Sequence, residues 1–165
     1  MGFFNLLSGK KNQNCVEIYS PLNGRVISLN EIPDDVFAQK MIGDGCAIEP
    51  VEGAMYAPID GEIDIFDTNH AISIETKNGL EMIVHFGIDT VKLNGEGFKK
   101  VVKNGSVKRG EKLVEYDLDF IKHNAKSHKT PIIITNMDII ESIEIIASSE
   151  VKIGDLLMRV KLKEK

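Results

Sequence analysis

The sequence has few cysteines, fewer basic than acidic residues and no long hydrophobic run. Its two cysteines, Cys15 and Cys46, belong to no paired motif with other ligand-type residues. They therefore suggest neither a disulfide framework nor a zinc ribbon, and a reducing compartment is the simplest setting. The 25 acidic residues outnumber the 20 basic ones and are scattered, giving a net charge of -5. This balance argues against nucleic-acid binding, which needs a basic stripe, and favours basic partners.

No apolar run is as long as a membrane span, and the start lacks the features of a secretory signal, so we expect a cytoplasmic protein. Residues 1–15 are apolar at first and then carry Lys10 and Lys11. This composition is compatible with a flexible tail and with weak contact to an anionic membrane surface. The rest of the chain, 16–165, is long enough for one core, and we expect it to form a single domain.

Short apolar stretches, closely punctuated by Gly, Pro, Asn and Asp, predict an all-β domain. The predicted strands cover residues 16–19, 24–29, 47–50, 53–57, 61–66, 71–75, 81–86, 112–116, 132–136 and 156–161. Short helical segments are predicted at 33–37, 97–102 and 118–125.

Two pairs of similar segments indicate a duplicated β unit. PLNGRV at 21–26 resembles PIDGEI at 58–63, and VKRGE at 107–111 resembles VKIGD at 151–155. In the first pair, a proline followed by Asn-Gly or Asp-Gly predicts a tight turn that leads into a strand. Turns reuse a few residue types, so chance similarity of such short segments stays open.

A hairpin is predicted where Asn78-Gly79 separates two apolar runs. A two-residue loop would place His70 diagonal to His85 on one face, and a four-residue loop would place them directly opposite. Either loop brings the two imidazoles within reach of each other. A slip of a single residue would separate them, because it turns every side chain of one strand over.

Two converging imidazoles allow three interpretations. In a phosphoryl relay, one neutral imidazole is the nucleophile, the other donates a hydrogen bond to the phosphoryl oxygens, and a hydroxyl such as that of Thr68 fixes the helper's tautomer. A metal site would need further ligands. The third interpretation is two half-buried histidines that are satisfied by backbone groups. His123 and His128 lie in a polar stretch without a partner pattern, and we expect them at the surface.

Residues 79–91, GLEMIVHFGIDTV, resemble the phosphorylation-site signature of the glucose-type enzyme IIA of the bacterial phosphoenolpyruvate:sugar phosphotransferase system. The resemblance combines a glycine, an apolar run, a histidine, a second glycine and a threonine at fixed spacing. It covers nearly the whole chain from Val16 onward, through the segments 37–38, 43–45, 57–58, 68–71, 95–98 and 135–137.

The resemblance implies an antiparallel β-sandwich, built from a duplicated hybrid motif that is barrel-sandwich-like, with short helical segments. It implies a phosphoryl carrier in which His85 accepts the group from phospho-HPr, His70 steadies it and Thr68 is oriented toward the His70 ring. The group would then pass to the IIB domain of a sugar permease, with glucose as the default sugar. No cofactor or metal is implied beyond the covalent phosphohistidine.

The resemblance also implies a partner-binding surface around His85. An apolar collar would dock both HPr and IIB, and the acidic residues would meet a basic side chain of HPr; the matching positions are Val36, Phe37, Ile42 and Val91 for the collar and Asp34 and Asp89 for the acids. Such a collar excludes water from a labile phosphoramidate, and carboxylates steer a basic partner. Phe37 and Ile42 are equally compatible with ordinary core positions, and Asp34 with helix capping.

Two alternatives from other classes fit less well. A lysostaphin-like zinc peptidase needs His-x-His and His-x-x-x-Asp, but residue 87 is Gly87 and the fourth residue after His70 is Ile74. A biotinyl or lipoyl carrier domain displays its lysine on a hairpin turn. Lys77 lies beside such a turn, but it lacks the usual flanking residues, and the chain is about twice as long as required.

Overall fold

The computed structural model describes residues 14–164, so most of the predicted tail, 1–13, lies outside the described residues. The strands are β1 Cys15–Tyr19, β2 Gly24–Ile27, β3 Asp44–Pro50, β4 Ala54–Tyr56, β5 Gly61–Ile65, β6 Ala71–Glu75, β7 Glu81–His85, β8 Phe98–Lys100, β9 Gly105–Val107, β10 Lys112–Tyr116, β11 Thr130–Ile134, β12 Ile140–Ile145, β13 Glu150–Val151 and β14 Leu156–Leu162. The helices are α1 Asp35–Ala38 and α2 Leu118–Asn124, with 3-10 turns at Leu29–Glu31, Thr90–Leu93 and Met137–Ile139. Within 14–164, no helix is long and apolar enough to span a membrane.

The strands form three antiparallel sheets, which confirms the predicted all-β fold. The largest has eight strands in the order β13-β2-β3-β11-β7-β6-β5-β9, and two three-stranded sheets have the orders β1-β14-β12 and β4-β10-β8. The main core draws fully buried side chains from all three sheets, such as Ile18, Met55, Ile72, Leu113 and Met158. Burial of this apolar surface is the dominant favourable term in folding.

The predicted duplication is confirmed by the pairing of strands. The halves β13-β2-β3-β11 and β9-β5-β6-β7 correspond strand for strand, as do the two three-stranded sheets. The turns at equivalent positions are held by equivalent hydrogen bonds. The side chain of Asn23 accepts a hydrogen bond from the amide of Ile153 at 2.8 Å, and the side chain of Asp60 accepts one from the amide of Arg109 at 2.7 Å. The similar sequence segments therefore mark equivalent positions in two related units.

The glycine of each repeated turn lies where strands approach closely. A Cβ at Gly24 would lie 2.2 Å from the carbonyl oxygen of Glu49, and a Cβ at Gly61 would lie 2.7 Å from that of Glu75. Both distances are too short for a side chain, so the turns require glycine at these positions.

The predicted helix at 97–102 is wrong, because this segment contains the strand β8. Val114 of β10 lies opposite Lys100 of β8, and that pairing is supplied by a distant part of the chain. The short strands β9 and β13 and the longer edge strand β12 were also not predicted. The other two helical predictions are confirmed, with α2 starting after Asp117, whose side chain accepts a hydrogen bond from the amide of Phe120 at 3.0 Å.

Candidate active site

The candidate site lies on the hairpin of β6 and β7, whose register is intermediate between the two predicted registers. Ala71 lies opposite His85, and the loop consists of three residues, 77–79, with Gly79 at φ +86°. The predicted two-residue and four-residue loops are therefore both wrong, each by one residue. In a regular strand this register would place His70 and His85 on opposite faces.

The two imidazoles nevertheless meet, because His70 precedes the first residue of β6. Asn69 has a left-handed backbone, φ +60°, and the loop is closed by hydrogen bonds from Phe66 N to Ala71 O at 2.9 Å and from Asn69 N to Phe66 O at 2.7 Å. The ring centroids of His70 and His85 lie 5.0 Å apart, with planes at 79°. The predicted convergence is confirmed, and the expectation that a one-residue slip would separate the histidines is wrong.

His85 lies at the end of β7, half-buried, with its Nδ1 atom 2.7 Å from the carbonyl oxygen of Gly87. A carbonyl only accepts hydrogen bonds, so Nδ1 of the neutral ring carries the proton and Nε2 keeps its lone pair. Burial lowers the pKa of His85, opposed by the Gly87 contact and by the negative charges of Asp34 and Asp89. The neutral imidazole is thus favoured, and its Nε2 lone pair is chemically able to attack an electrophile.

His70 is 5 % exposed, and its Nδ1 atom is hydrogen-bonded to the hydroxyl of Thr68. Burial, assisted by the neighbouring His85, lowers the pKa of His70 to about 4. The side chain of Thr68 thus lies where the sequence analysis expected it, against the ring of His70. A hydroxyl both donates and accepts, so this contact permits a proton on Nε2 of His70.

Three predicted collar residues are exposed, and one is buried. Val36, Ile42 and Val91 are exposed, whereas Phe37 is only 7 % exposed. Phe37 packs in a second core cluster that includes Ile32, and its ring centroid lies 5.1 Å from that of His85. Phe37 therefore occupies a core position that supports the ring of His85.

The two predicted acidic residues differ in their local roles. Asp34 caps α1 by accepting a hydrogen bond from the amide of Val36 at 2.9 Å, as the capping alternative expected. Asp89 has a left-handed backbone, φ +62°, and no capping hydrogen bond, and its carboxylate lies 3.7 Å from the ammonium nitrogen of Lys92. Both carboxylates act on His85, because each raises its pKa.

The sequence analysis missed two exposed apolar residues, Met41 and Phe66. Met41 is 67 % exposed and directly precedes Ile42. The ring of Phe66 lies edge-on to that of His70, with centroids 5.7 Å apart. The only signal for Met41 in the sequence is the apolar pair Met41-Ile42, and Phe66 is predicted as the end of the strand 61–66.

Within residues 14–164, neither of the other two histidines forms a side-chain hydrogen bond or an aromatic ring contact with this pair. His123 is exposed, as predicted, and its Nδ1 atom forms a hydrogen bond of 2.6 Å with the carbonyl oxygen of Asp119. His128 is half-buried, contrary to the prediction, because it leads into the buried strand β11; burial is the main cause of its lowered pKa.

Metal chemistry finds no support in the described part of the chain. Residues 14–164 contain no group of three or more His, Cys, Asp or Glu side chains placed to hold a metal ion. Cys15 and Cys46 are both free thiols. The zinc-peptidase interpretation therefore lacks a ligand set.

Comparison with known proteins agrees with the geometry. The family model described as phosphoenolpyruvate-dependent sugar phosphotransferase system, EIIA 1, matches residues 16–140. The chain is 47 % identical over 159 residues to the PTS system glucose-specific EIIA component of Haemophilus influenzae, covering 94 % of this chain and 95 % of the relative. It is 47 % identical over 157 residues to the protein of the same name from Staphylococcus aureus, covering 91 % and 95 %.

A solved structure agrees as well. Glucose permease IIA from Mycoplasma capricolum matches with a TM-score of 0.84 and 39 % identity, covering 88 % of this chain and 95 % of that one. The chain is therefore a member of the EIIA 1 family of the phosphoenolpyruvate-dependent sugar phosphotransferase system.

Proposed function

We propose that the chain is a phosphoryl carrier whose His85 accepts a phosphoryl group from phospho-HPr and passes it to the IIB domain of a sugar permease. The observation that carries this proposal is the 2.7 Å contact of Nδ1 with the carbonyl oxygen of Gly87, which leaves the Nε2 lone pair free. Family membership supports the same role. The relatives are named glucose-specific, and glucose is therefore the sugar we propose.

In the transfer, the lone pair of His85 Nε2 forms a bond to phosphorus while the bond between phosphorus and the donor breaks. The electron pair of the broken bond returns to the donor. The proton stays on Nδ1 throughout and is donated in a hydrogen bond to the Gly87 carbonyl oxygen, so the contact orients the ring in both the free and the phosphorylated forms. Passage to IIB is the same displacement with His85 as the leaving group.

His70 is the helper in this proposal. The hydroxyl of Thr68 contacts Nδ1 of His70. In this role the hydroxyl donates to Nδ1 and the ring proton is on Nε2, which can then donate to a phosphoryl oxygen. The low pKa of about 4 keeps His70 neutral at cytosolic pH, so it acts as a hydrogen-bond donor without a full charge. Such a donor matters most while charge is redistributed in transfer.

Docking is proposed to use the exposed apolar residues around the pair, Val36, Ile42 and Val91. Asp34 and Asp89 would steer a basic partner. Phe37 contributes from beneath by packing against His85.

The test is incubation of the protein with enzyme I, HPr and phosphorus-labelled phosphoenolpyruvate. Acid-labile, base-stable label is expected on the wild type and none on His85→Gln. His123→Gln is the matched control, because His123 is exposed and its ring forms a hydrogen bond with the carbonyl oxygen of Asp119, within α2. This variant should be labelled normally. Label on His85→Gln would refute the site, and an unlabelled wild type would refute the carrier function.

A further inference from the structure

Four aromatic rings follow one another across the site. The centroid distances are 5.1 Å from Phe37 to His85, 5.0 Å from His85 to His70, and 5.7 Å from His70 to Phe66. Phe37 ends the row in the core at 7 % exposure, whereas Phe66 ends it at the surface at 37 % exposure. His70, between His85 and Phe66, is thus held by aromatic neighbours on two sides.

Phe66 is fixed by the same loop that presents His70. The amide of Phe66 donates to Ala71 O at 2.9 Å, and its carbonyl accepts from Asn69 N at 2.7 Å. These two bonds set the position of Phe66 relative to Thr68 and His70, which lie between them along the chain. The ring of Phe66 is perpendicular to that of His70, at 90°. Edge-to-face contact is a favoured geometry for aromatic pairs.

The hydrogen bond from Thr68 restrains the ring of His70 at one atom, Nδ1. The side-chain torsions of His70 are restrained further by the side chains that pack against the ring. His85 packs on one side, but it is the residue that must change chemically during transfer. Phe66 is the remaining aromatic neighbour, and it carries no ionisable group.

We propose that Phe66 is a positioning residue for phosphoryl transfer: its ring holds the His70 imidazole in place and shields it from water, so that His70 stays neutral and aligned as a hydrogen-bond donor. This inference rests on the proposed function, because alignment of His70 matters only if His85 carries a phosphoryl group. It is separate from partner docking, since it acts inside the free protein. The ionisable group facing His70 is His85, which in turn faces Asp34 and Asp89.

The test follows the His70 imidazole by nitrogen-15 NMR in the full chain between pH 3.5 and 7.5. In Phe66→Ala, water reaches His70, and its proton affinity is expected to rise about 10-fold. Phe66→Tyr keeps the ring and should restore the wild-type titration. Val101→Ala is the matched control, because Val101 is also 37 % exposed and directly follows β8, which belongs to a different sheet from β6 and β7.

Transfer kinetics separate positioning from docking. If Phe66 positions His70, Phe66→Ala lowers kcat for transfer to IIB by about 10-fold or more, whereas loss of a docking contact raises KM alone. Val91→Ala, on the collar, should change KM only. Should Phe66→Ala fail to fold by circular dichroism, Phe66→Leu is titrated in its place, and a smaller rise in proton affinity is expected.

A wild-type His70 titration in Phe66→Ala would overturn the proposal, even if KM had risen. The NMR result does not require phosphorylation, so it decides the role of Phe66 independently. An unlabelled wild type would instead refute the carrier function and leave the NMR result standing.

Discussion

Nδ1 of His85 lies 2.7 Å from the carbonyl oxygen of Gly87, two residues further along the chain. The contact is local, because both residues belong to the end of β7 and the turn that follows it. It makes the two histidines chemically different, since Nδ1 of His70 faces the hydroxyl of Thr68 instead. One imidazole is arranged to offer a lone pair at Nε2, and the other is able to offer a proton there.

This difference predicts opposite tautomers for the neutral rings. Nitrogen-15 chemical shifts should show the proton of His85 on Nδ1 and that of His70 on Nε2. Thr68→Val should mix the tautomers of His70 and leave His85 unchanged, because the Gly87 carbonyl is untouched. Thr68→Ser keeps the hydroxyl and should behave like the wild type. A His85 ring with its proton on Nε2 would contradict the proposed nucleophile.

A second prediction separates acceptance from passage of the phosphoryl group. His70→Gln should still be labelled by phospho-HPr, because Nε2 of His85 is intact, but transfer to IIB should slow by about 100-fold or more. The measurement is decay of the label after rapid mixing with IIB. Transfer at the normal rate would refute the helper role.

A third prediction concerns stability against pH. Unfolded His70 takes up a proton near pH 6.5, whereas in the folded protein its pKa is about 4. Between these values the unfolded state binds more protons, so the free energy of unfolding falls as the pH falls from 6.5 toward 4, and His70 contributes no slope above 6.5. The slope from one such group approaches about 1.4 kcal/mol per pH unit.

In His70→Gln this contribution should disappear, and urea titrations from pH 7 to pH 4 should show a shallower loss of stability than in the wild type. His123→Gln is the control for the removal of a histidine at the surface. Equal slopes in wild type and His70→Gln would mean that His70 is not shielded from water.

The sequence predicts the strands that are marked by local alternation of apolar and polar residues and by adjacent turn residues. β6 and β10 have the predicted bounds, Ala71–Glu75 and Lys112–Tyr116. The three-residue strands β8 and β9 were missed because they exist through pairing with distant strands, and no three residues contain a periodic signal.

The sequence predicts that His70 and His85 converge, but it does not predict the hairpin geometry. It allows a loop of two residues, Asn78-Gly79, or of four, whereas the loop has the three residues 77–79 and the backbone before β6 departs from regular strand geometry at Asn69. The sequence also does not distinguish the buried Phe37 from the exposed Phe66. Both are apolar residues near turns. Phe37 is buried because it packs with residues that are distant in the chain, such as Ile88 and Ile133, whereas Phe66 stays 37 % exposed.

The buried position of Phe37 changes the test of the docking surface. A charge at Phe37 would disrupt the core cluster, so the fourth prediction uses Ile42→Asp, which lies at the surface. It should weaken binding of both HPr and IIB by on the order of 1 to 4 kcal/mol. Val51→Asp is the control, because Val51 is exposed on the loop between β3 and β4. Calorimetry in which HPr and IIB bind simultaneously, with no competition, would show that they use separate surfaces.

The last prediction concerns Lys92, whose ammonium nitrogen lies 3.7 Å from the carboxylate of Asp89. If Asp89 steers a basic partner, Lys92 opposes that steering by neutralising the carboxylate and by repelling the partner itself. Lys92→Glu should therefore raise the association rate with HPr, several-fold at low salt and less at high salt, because both groups are exposed and screened. It should also raise the pKa of His85, since the negative charge of Asp89 already acts in that direction.

The steering of a basic partner is tested at Asp89 rather than at Asp34, because Asp34 also caps α1 and its replacement would weaken that helix. Lys103→Glu is the control, since it makes the same change in net charge at an exposed site and lies in none of the ion pairs of residues 14–164. The test is a stopped-flow measurement of the association rate with HPr at two salt concentrations. An equal gain in Lys92→Glu and Lys103→Glu would assign the effect to net charge alone, and no gain in Lys92→Glu would remove Asp89 from the steering role.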